Sequence, residues 1–131
     1  MVRVTAPVPP PPPGKPRGNL EAYSFPGEAE VGKEYNWTMT VHNNGEASGE
    51  VGAGIGNMDG NPGNIVITVE DQIFEIPPGQ VLIMHTTLNV CDRINLTGKI
   101  KFTAEGSYTL RLMGLHYEEE WVIDTYKDIN G

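Results

Sequence analysis

Cysteine is almost missing from this 131-residue chain, which has one, Cys91. A single thiol excludes an intramolecular disulfide and any zinc cluster built on cysteines. Positive charge is scarce too: 9 Lys and Arg stand against 17 Asp and Glu, a net charge of −8. Neutralising phosphates takes clustered cations, so nucleic acid is excluded as the expected partner. No apolar run approaches the roughly 18 residues of a membrane-spanning helix, so no membrane span is expected. The serines, Ser24, Ser48 and Ser107, do not sit in a nucleophile-elbow context. His42, His85 and His116 are the only imidazoles and lie far apart in the chain. No spacing pairs one of them with a nucleophile and an orienting acid, or with carboxylates at zinc-ligand intervals. The expectation is a chain that is not an enzyme, with no catalytic residue, no cofactor and no metal.

What the chain does have is glycine and proline, and they are spread unevenly. Seven of the 11 prolines lie at or before Pro16, with Pro9, Pro10, Pro11, Pro12 and Pro13 consecutive. Consecutive prolines fix φ and lack N–H donors, which favours an extended polyproline II arm of about 3 Å per residue. Arg3, Lys15 and Arg17 are in this segment and no acid precedes Glu21, so a mildly basic arm is joined to an acidic body. Residues 1–18 read as an extended arm or linker, and 19–131 as one domain of ordinary size. As an arm, the segment is suited to docking on a neighbouring subunit, since a stiff chain loses little entropy when ordered. The stretch from Met1 to Pro7 has no apolar core of a secretory signal. The expectation is either a protein used without export or a trimmed piece of a longer one.

The body shows period-2 patterning and no amphipathic helix. In Glu34–His42, Tyr35, Trp37, Met39 and Val41 alternate with Asn36, Thr38, Thr40 and His42, as in a half-buried antiparallel strand. Asn43-Asn44-Gly45 ends it with turn chemistry. Further strands are expected over 20–25, 50–56, 65–69, 72–76, 81–90, 98–103, 108–115 and 120–126, separated by Gly, Pro, Asn and Asp signals. Short strands with turns at this spacing predict an all-β antiparallel sandwich or barrel. Trp37 is the expected core anchor, facing Tyr108, Leu110 and Leu112. Glu105-Gly106-Ser107-Tyr108 has the form of a tyrosine corner, with a buried ring whose hydroxyl bonds nearby backbone.

The order of three stretches resembles a family. They are Val31-Gly32-Lys33-Glu34-Tyr35 running into Trp37–Gly45, Phe74-Glu75-Ile76-Pro77-Pro78-Gly79-Gln80, and Gly106-Ser107-Tyr108-Thr109-Leu110. Together, over residues 30–115, they resemble the immunoglobulin-like modules of the CARDB type in bacterial and archaeal surface proteins. The resemblance implies an Ig-like β-sandwich of about seven to nine strands and no activity. The Gly-rich stretch from Met58 to Asn64 and the stretch from Cys91 to Thr97 depart from it.

Candidate sites are few. Gly52, Gly54 and Gly56 fall at every second position of one strand, leaving a face open to another backbone or an aromatic ring. The Met58–Asn64 stretch has only Asp59 as an acid and reads as a loop rather than a calcium site. Glu118-Glu119-Glu120 reads as a solvated hairpin turn that could attract a basic partner, including a neighbour's arm. Asn36-Trp37-Thr38 and Asn95-Leu96-Thr97 match the glycosylation pattern, the second in an expected loop. Cys91 reads as a small buried hydrophobe or a free thiol at a strand end. Tyr117 and Trp121, if exposed, could form a sugar-stacking platform. The arm prolines, Arg17, the three glycines, Tyr117 and Trp121 are thus the interaction candidates. Two readings follow. One is a structural module that works by protein–protein contacts in a homo-oligomer or larger assembly, such as a virion, as a capsid decoration or tail component. The other is an extracellular cell-surface module for adhesion or carbohydrate binding, cut from a larger exported protein.

Overall fold

A computed structural model describes residues 2–4 and 14–130. The run Pro9–Pro13, with the docking arm expected from it, lies outside the described residues. Nine strands follow one another, with no helix among the described residues: β1 (Gly18–Ser24), β2 (Glu34–Asn43), β3 (Gly49–Asn57), β4 (Ile65–Val69), β5 (Gln72–Ile76), β6 (Gln80–Leu88), β7 (Arg93–Phe102), β8 (Thr109–Glu118) and β9 (Glu120–Asn130). They form two antiparallel sheets, β1-β2-β7-β4-β5 and β6-β3-β8-β9. The chain is an all-β sandwich. Without the β4–β5 hairpin, β1, β2 and β7 face β6, β3, β8 and β9, which is the neighbour order of an Ig-like sandwich.

The alternation read in β2 sets the core. Trp37, Met39 and Val41 are fully buried and meet Val51, Ala53 and Ile55 of β3, with Ile65, Ile67, Ile100 and Leu112 around them. Trp37 stacks on Phe25 with centroids 5.5 Å apart, and its indole N–H donates to the Lys99 carbonyl at 3.1 Å. The Tyr108 ring is buried edge-on to Phe102, and its hydroxyl donates to the Ala104 carbonyl at 3.0 Å, the bond expected of a tyrosine corner. Two buried asparagines fasten the loops. Asn43 accepts from the Arg17 and Gly45 N–H groups and donates to the Ala47 and Leu88 carbonyls. Asn57 donates to the Gly63 and Ile76 carbonyls and accepts from Asn61 Nδ2, which holds the Gly-rich Met58–Asn64 loop.

The two sheets meet along β1. This strand pairs with β2, yet its start crosses onto the second sheet. A Cβ on Gly114 would lie 2.5 Å from the Gly18 carbonyl oxygen, and a Cβ on Gly18 would overlap the Leu115 backbone. Only a pair of glycines permits this approach. Two bulges serve the same crossing. One sets Glu21 out of register with β2, and the other sets Asp124 out of register with β8. The freed Asp124 carboxylate accepts from the Gly18 N–H at 2.8 Å, and Thr125 Oγ1 accepts from the Leu20 N–H at 2.8 Å. Side chains of β9 thereby satisfy the edge of β1 and close this flank.

β7 begins at Arg93, so Arg93–Thr97, expected as part of a long connection, is strand. Its Ile94 and Leu96 point to the core and alternate with exposed Arg93, Asn95 and Thr97. Asn95 therefore sits in a strand, as Asn36 does, and not in the expected loop.

Gly114→Ala is expected to lower the unfolding free energy by about 1–3 kcal/mol through overpacking, read as a drop in the urea midpoint. An unchanged midpoint would show that the crossing tolerates a side chain.

Candidate functional site

The outer faces of the two sheets differ in kind. On the five-stranded sheet, Asn36, Thr38, Thr40 and His42 of β2 pair with Lys99, Thr97, Asn95 and Arg93 of β7, a polar surface. On the four-stranded sheet the corresponding face is apolar. It carries Val81, Ile83 and His85 of β6, Gly52, Gly54 and Gly56 of β3, Met113, Leu115 and Tyr117 of β8, and Trp121, Ile123 and Tyr126 of β9. Met113 and Leu115 are each 2% exposed although they lie outside the sandwich core. They form the floor of a second, open apolar layer. Val81, Tyr117, Ile123 and Tyr126 stand above it, exposed by 49, 47, 49 and 59%.

The glycine face predicted on β3 is part of this layer and is buried rather than bare. A Cβ on Gly52 would lie 3.1 Å from the Trp121 ring, and a Cβ on Gly54 would lie 3.1 Å from Leu115 Cδ1 and from Met113 Cε. The glycines admit side chains of their own sheet, so a partner would meet Trp121 and its neighbours instead. Trp121 is half-buried, with the Tyr117 ring at 5.3 Å and the His85 ring at 5.1 Å. Glu50, whose Oε2 is buried without a hydrogen bond, lies beside His85, with Nδ1 at 3.5 Å. Glu118, Glu119 and Glu120 form the hairpin turn between Tyr117 and Trp121, with Glu119 at φ 62°. At the other end Arg111 donates to Asp128 at 2.7 and 2.9 Å and lies over the Tyr126 ring at 4.6 Å. The hydrogen bonds with Arg111 hold the Asp128 carboxyl below its ordinary range.

On the inner side of the same strands lies a cluster that the spacing of the histidines did not reveal. His116 is buried, with Nδ1 2.7 Å from Asp124 Oδ2 and Nε2 2.9 Å from Glu118 Oε2. Ionised carboxylates only accept, so two such neighbours suit the imidazolium, which donates from both nitrogens. Burial opposes that charge, but the hydrogen bonds to Asp124 and Glu118 outweigh it and raise the His116 pKa. With both ring nitrogens taken, this histidine has none left to face a nucleophile. Among the described residues no group of three or more His, Cys, Asp and Glu could hold a metal ion. The cluster instead fastens the N-terminal segment: Glu118 pairs with Lys15, and Asp124 accepts the Gly18 N–H. The Lys15 carbonyl accepts from the Glu46 N–H at 2.9 Å, and the Arg17 carbonyl from the Asn44 N–H at 3.2 Å. Residues 14–17 thus run out along the β2–β3 turn; Arg17 contributes its backbone here, and its side chain is exposed.

The described residues form recesses elsewhere too. A 460 Å³ cleft under the β1–β2 connection is lined by Val31, Phe102 and Tyr108 with Glu28, Glu30 and Glu105. A 390 Å³ groove between β5 and β6 is lined by Phe74, Met84, Ile94 and Leu96. Cys91 is an exposed free thiol at φ 74°. Among the described residues no helix is long and apolar enough to cross a membrane.

The raised His116 pKa sets a sign for the pH dependence. Its stabilisation is full below the unfolded histidine value and is lost as pH rises through the folded one. The lowered Glu118 pKa adds stabilisation that is lost as pH falls through the folded carboxyl value. Amide exchange at Gly18 and Leu20 should therefore accelerate beyond its intrinsic rise as pH climbs above the ordinary histidine value and through the raised His116 one, and His116→Gln should remove that excess.

Compared with protein-family models, with curated proteins and with solved structures, the chain matches none of them.

Proposed function

We propose that this chain is a non-catalytic structural module that works by assembly, through its arm and the outer face of its four-stranded sheet. The observation that carries the reading is the apolar layer on that face. Monomeric proteins seldom leave a floor such as Met113 and Leu115 under a rim of half-exposed Val81, Tyr117, Ile123 and Tyr126 unless something covers it. Tyr117 and Trp121 at one end, Tyr126 at the other and charged groups beyond them give it the make-up of a protein contact, with aromatic side chains inside a polar rim. The assembly we assign is a virion, with the chain as a capsid decoration or tail component. A sandwich with a fixed arm exit and one sticky face suits a protein added to a larger shell.

The edge-to-face pair of Tyr117 and Trp121 favours a second reading, an extracellular cell-surface module that stacks a sugar ring on these side chains. Binding to a glycan array that is lost in Trp121→Ala would establish it, and an array without binding would remove it.

The assembly reading is tested by light scattering on the native chain over a range of concentrations. A mass above the 14.3 kDa of one chain that grows with concentration, and that falls when residues 1–18 are deleted, is the expected result. A mass of one chain at every concentration, with no binding to any large assembly, would contradict it.

A further inference from the structure

We propose that the arm of one copy, residues 2–13, lies along the apolar outer face of the four-stranded sheet of a second copy. This deepens the assembly reading and rests on it, since it names the two surfaces through which copies meet.

The size of the face selects its occupant. Four side chains at about half exposure, with parts of Ile83 and Trp121, leave roughly 400 Å² of apolar surface open. A stable contact between two globular bodies takes about 800 Å² from each. The open area is too small for a second sandwich and suits an extended segment. Length agrees. Twelve residues in polyproline II geometry span about 37 Å, and the ten residues of β8 run about 33 Å.

Chemistry agrees as well. Extended Pro-rich segments dock on surfaces lined by aromatic rings because ordering them costs little entropy. The face provides Trp121, Tyr117 and Tyr126. The arm brings Val2, Val4, Val8 and six prolines among its nine other positions, with Arg3 and no acid. Glu50 and the hairpin turn at Glu119 and Glu120 flank the aromatic end and complement that charge, while Glu118 is spent on Lys15 and His116 of its own chain.

The exit of the arm selects a second copy over its own. Gly18, Arg17 and Lys15 contact in turn Gly114, Asn43 and Glu46, a path that leads off the end of the sandwich. Beyond it Val2 and Val4 are 87 and 84% exposed. The polar bonds of residues 15–18 fix the point from which the arm projects.

The test mixes a nitrogen-15-labelled chain with an unlabelled chain that carries a nitroxide at Pro11→Cys, both with Cys91→Ser, at a concentration where light scattering finds more than one copy per particle. The expected result is loss of amide signal at Gly52, Trp121, Ile123 and Tyr126, with Asn36, Thr38 and Thr97 of the polar face unchanged. Ile123→Ser with Tyr126→Ser in the labelled chain should restore the signals. Tyr126→Ser alone serves if the double variant loses its dispersed spectrum. Signal loss confined to the Phe74–Met84–Leu96 groove or to the polar face overturns the pairing and leaves the assembly reading standing. So does signal loss only when label and isotope share one chain, or no loss in multi-copy particles. A chain that never exceeds one copy overturns both.

Discussion

Gly18 and Gly114 meet backbone to backbone, and the geometry of the candidate surfaces depends on that contact. A strand paired with β2 would ordinarily stay in its own sheet. With no Cβ on either residue, β1 can start on the second sheet and then return to the first. The cost of the crossing is two disrupted ladders, at Glu21 and at Asp124, and both bulged residues are put to use. Glu21 takes a bidentate hydrogen bond from Arg93, at 2.6 and 2.9 Å, which lowers its own pKa and raises that of the arginine. Asp124 receives the Gly18 N–H and orients His116. The crossing therefore closes one flank and aims the arm at the same time.

The strands around this contact carry two chemistries on their two sides. Toward β1, β8 and β9 present His116, Glu118, Asp124 and Thr125, which hold the N-terminal segment by charge and hydrogen bonds. Away from it they present Met113, Leu115, Tyr117, Trp121 and Ile123, an apolar layer that no other element among the described residues covers. Residues 15–18 are held on the polar side and make no use of the apolar face. The same two strands thus separate the side that anchors the N-terminal segment from the side left open among the described residues.

Much of the fold was legible because β2 alternates cleanly: Trp37, Met39 and Val41 in, Asn36, Thr38 and Thr40 out. Turn residues located the hairpins, and the Tyr108 corner followed from the turn before it. Arg93–Thr97 was harder to read, since Asn, Thr and Arg at its exposed positions look like loop chemistry when the partner Asn36–His42 is not in view. The candidate face was legible only in halves. Glycines at 52, 54 and 56 signal a face that accepts large neighbours, and Leu112–Leu115 breaks the period-2 pattern, as a strand apolar on both sides must. What joins them is the register that places Met113 beside Gly54 and Leu115 beside Gly52. Long-range pairing of this kind, like the meeting of His116 with Asp124 across the hairpin, has no local signature.

On the proposed reading, the apolar outer face is covered when copies of the chain meet. The two tryptophans allow a direct reading of it, because Trp37 is fully buried and Trp121 is only half-buried on that face. Iodide quenching of tryptophan fluorescence therefore reports on Trp121. Across a concentration series that spans assembly, the accessible fraction should fall as the mass rises. Quenching that stays constant while the mass rises would show that assembly leaves the face open and that copies meet elsewhere.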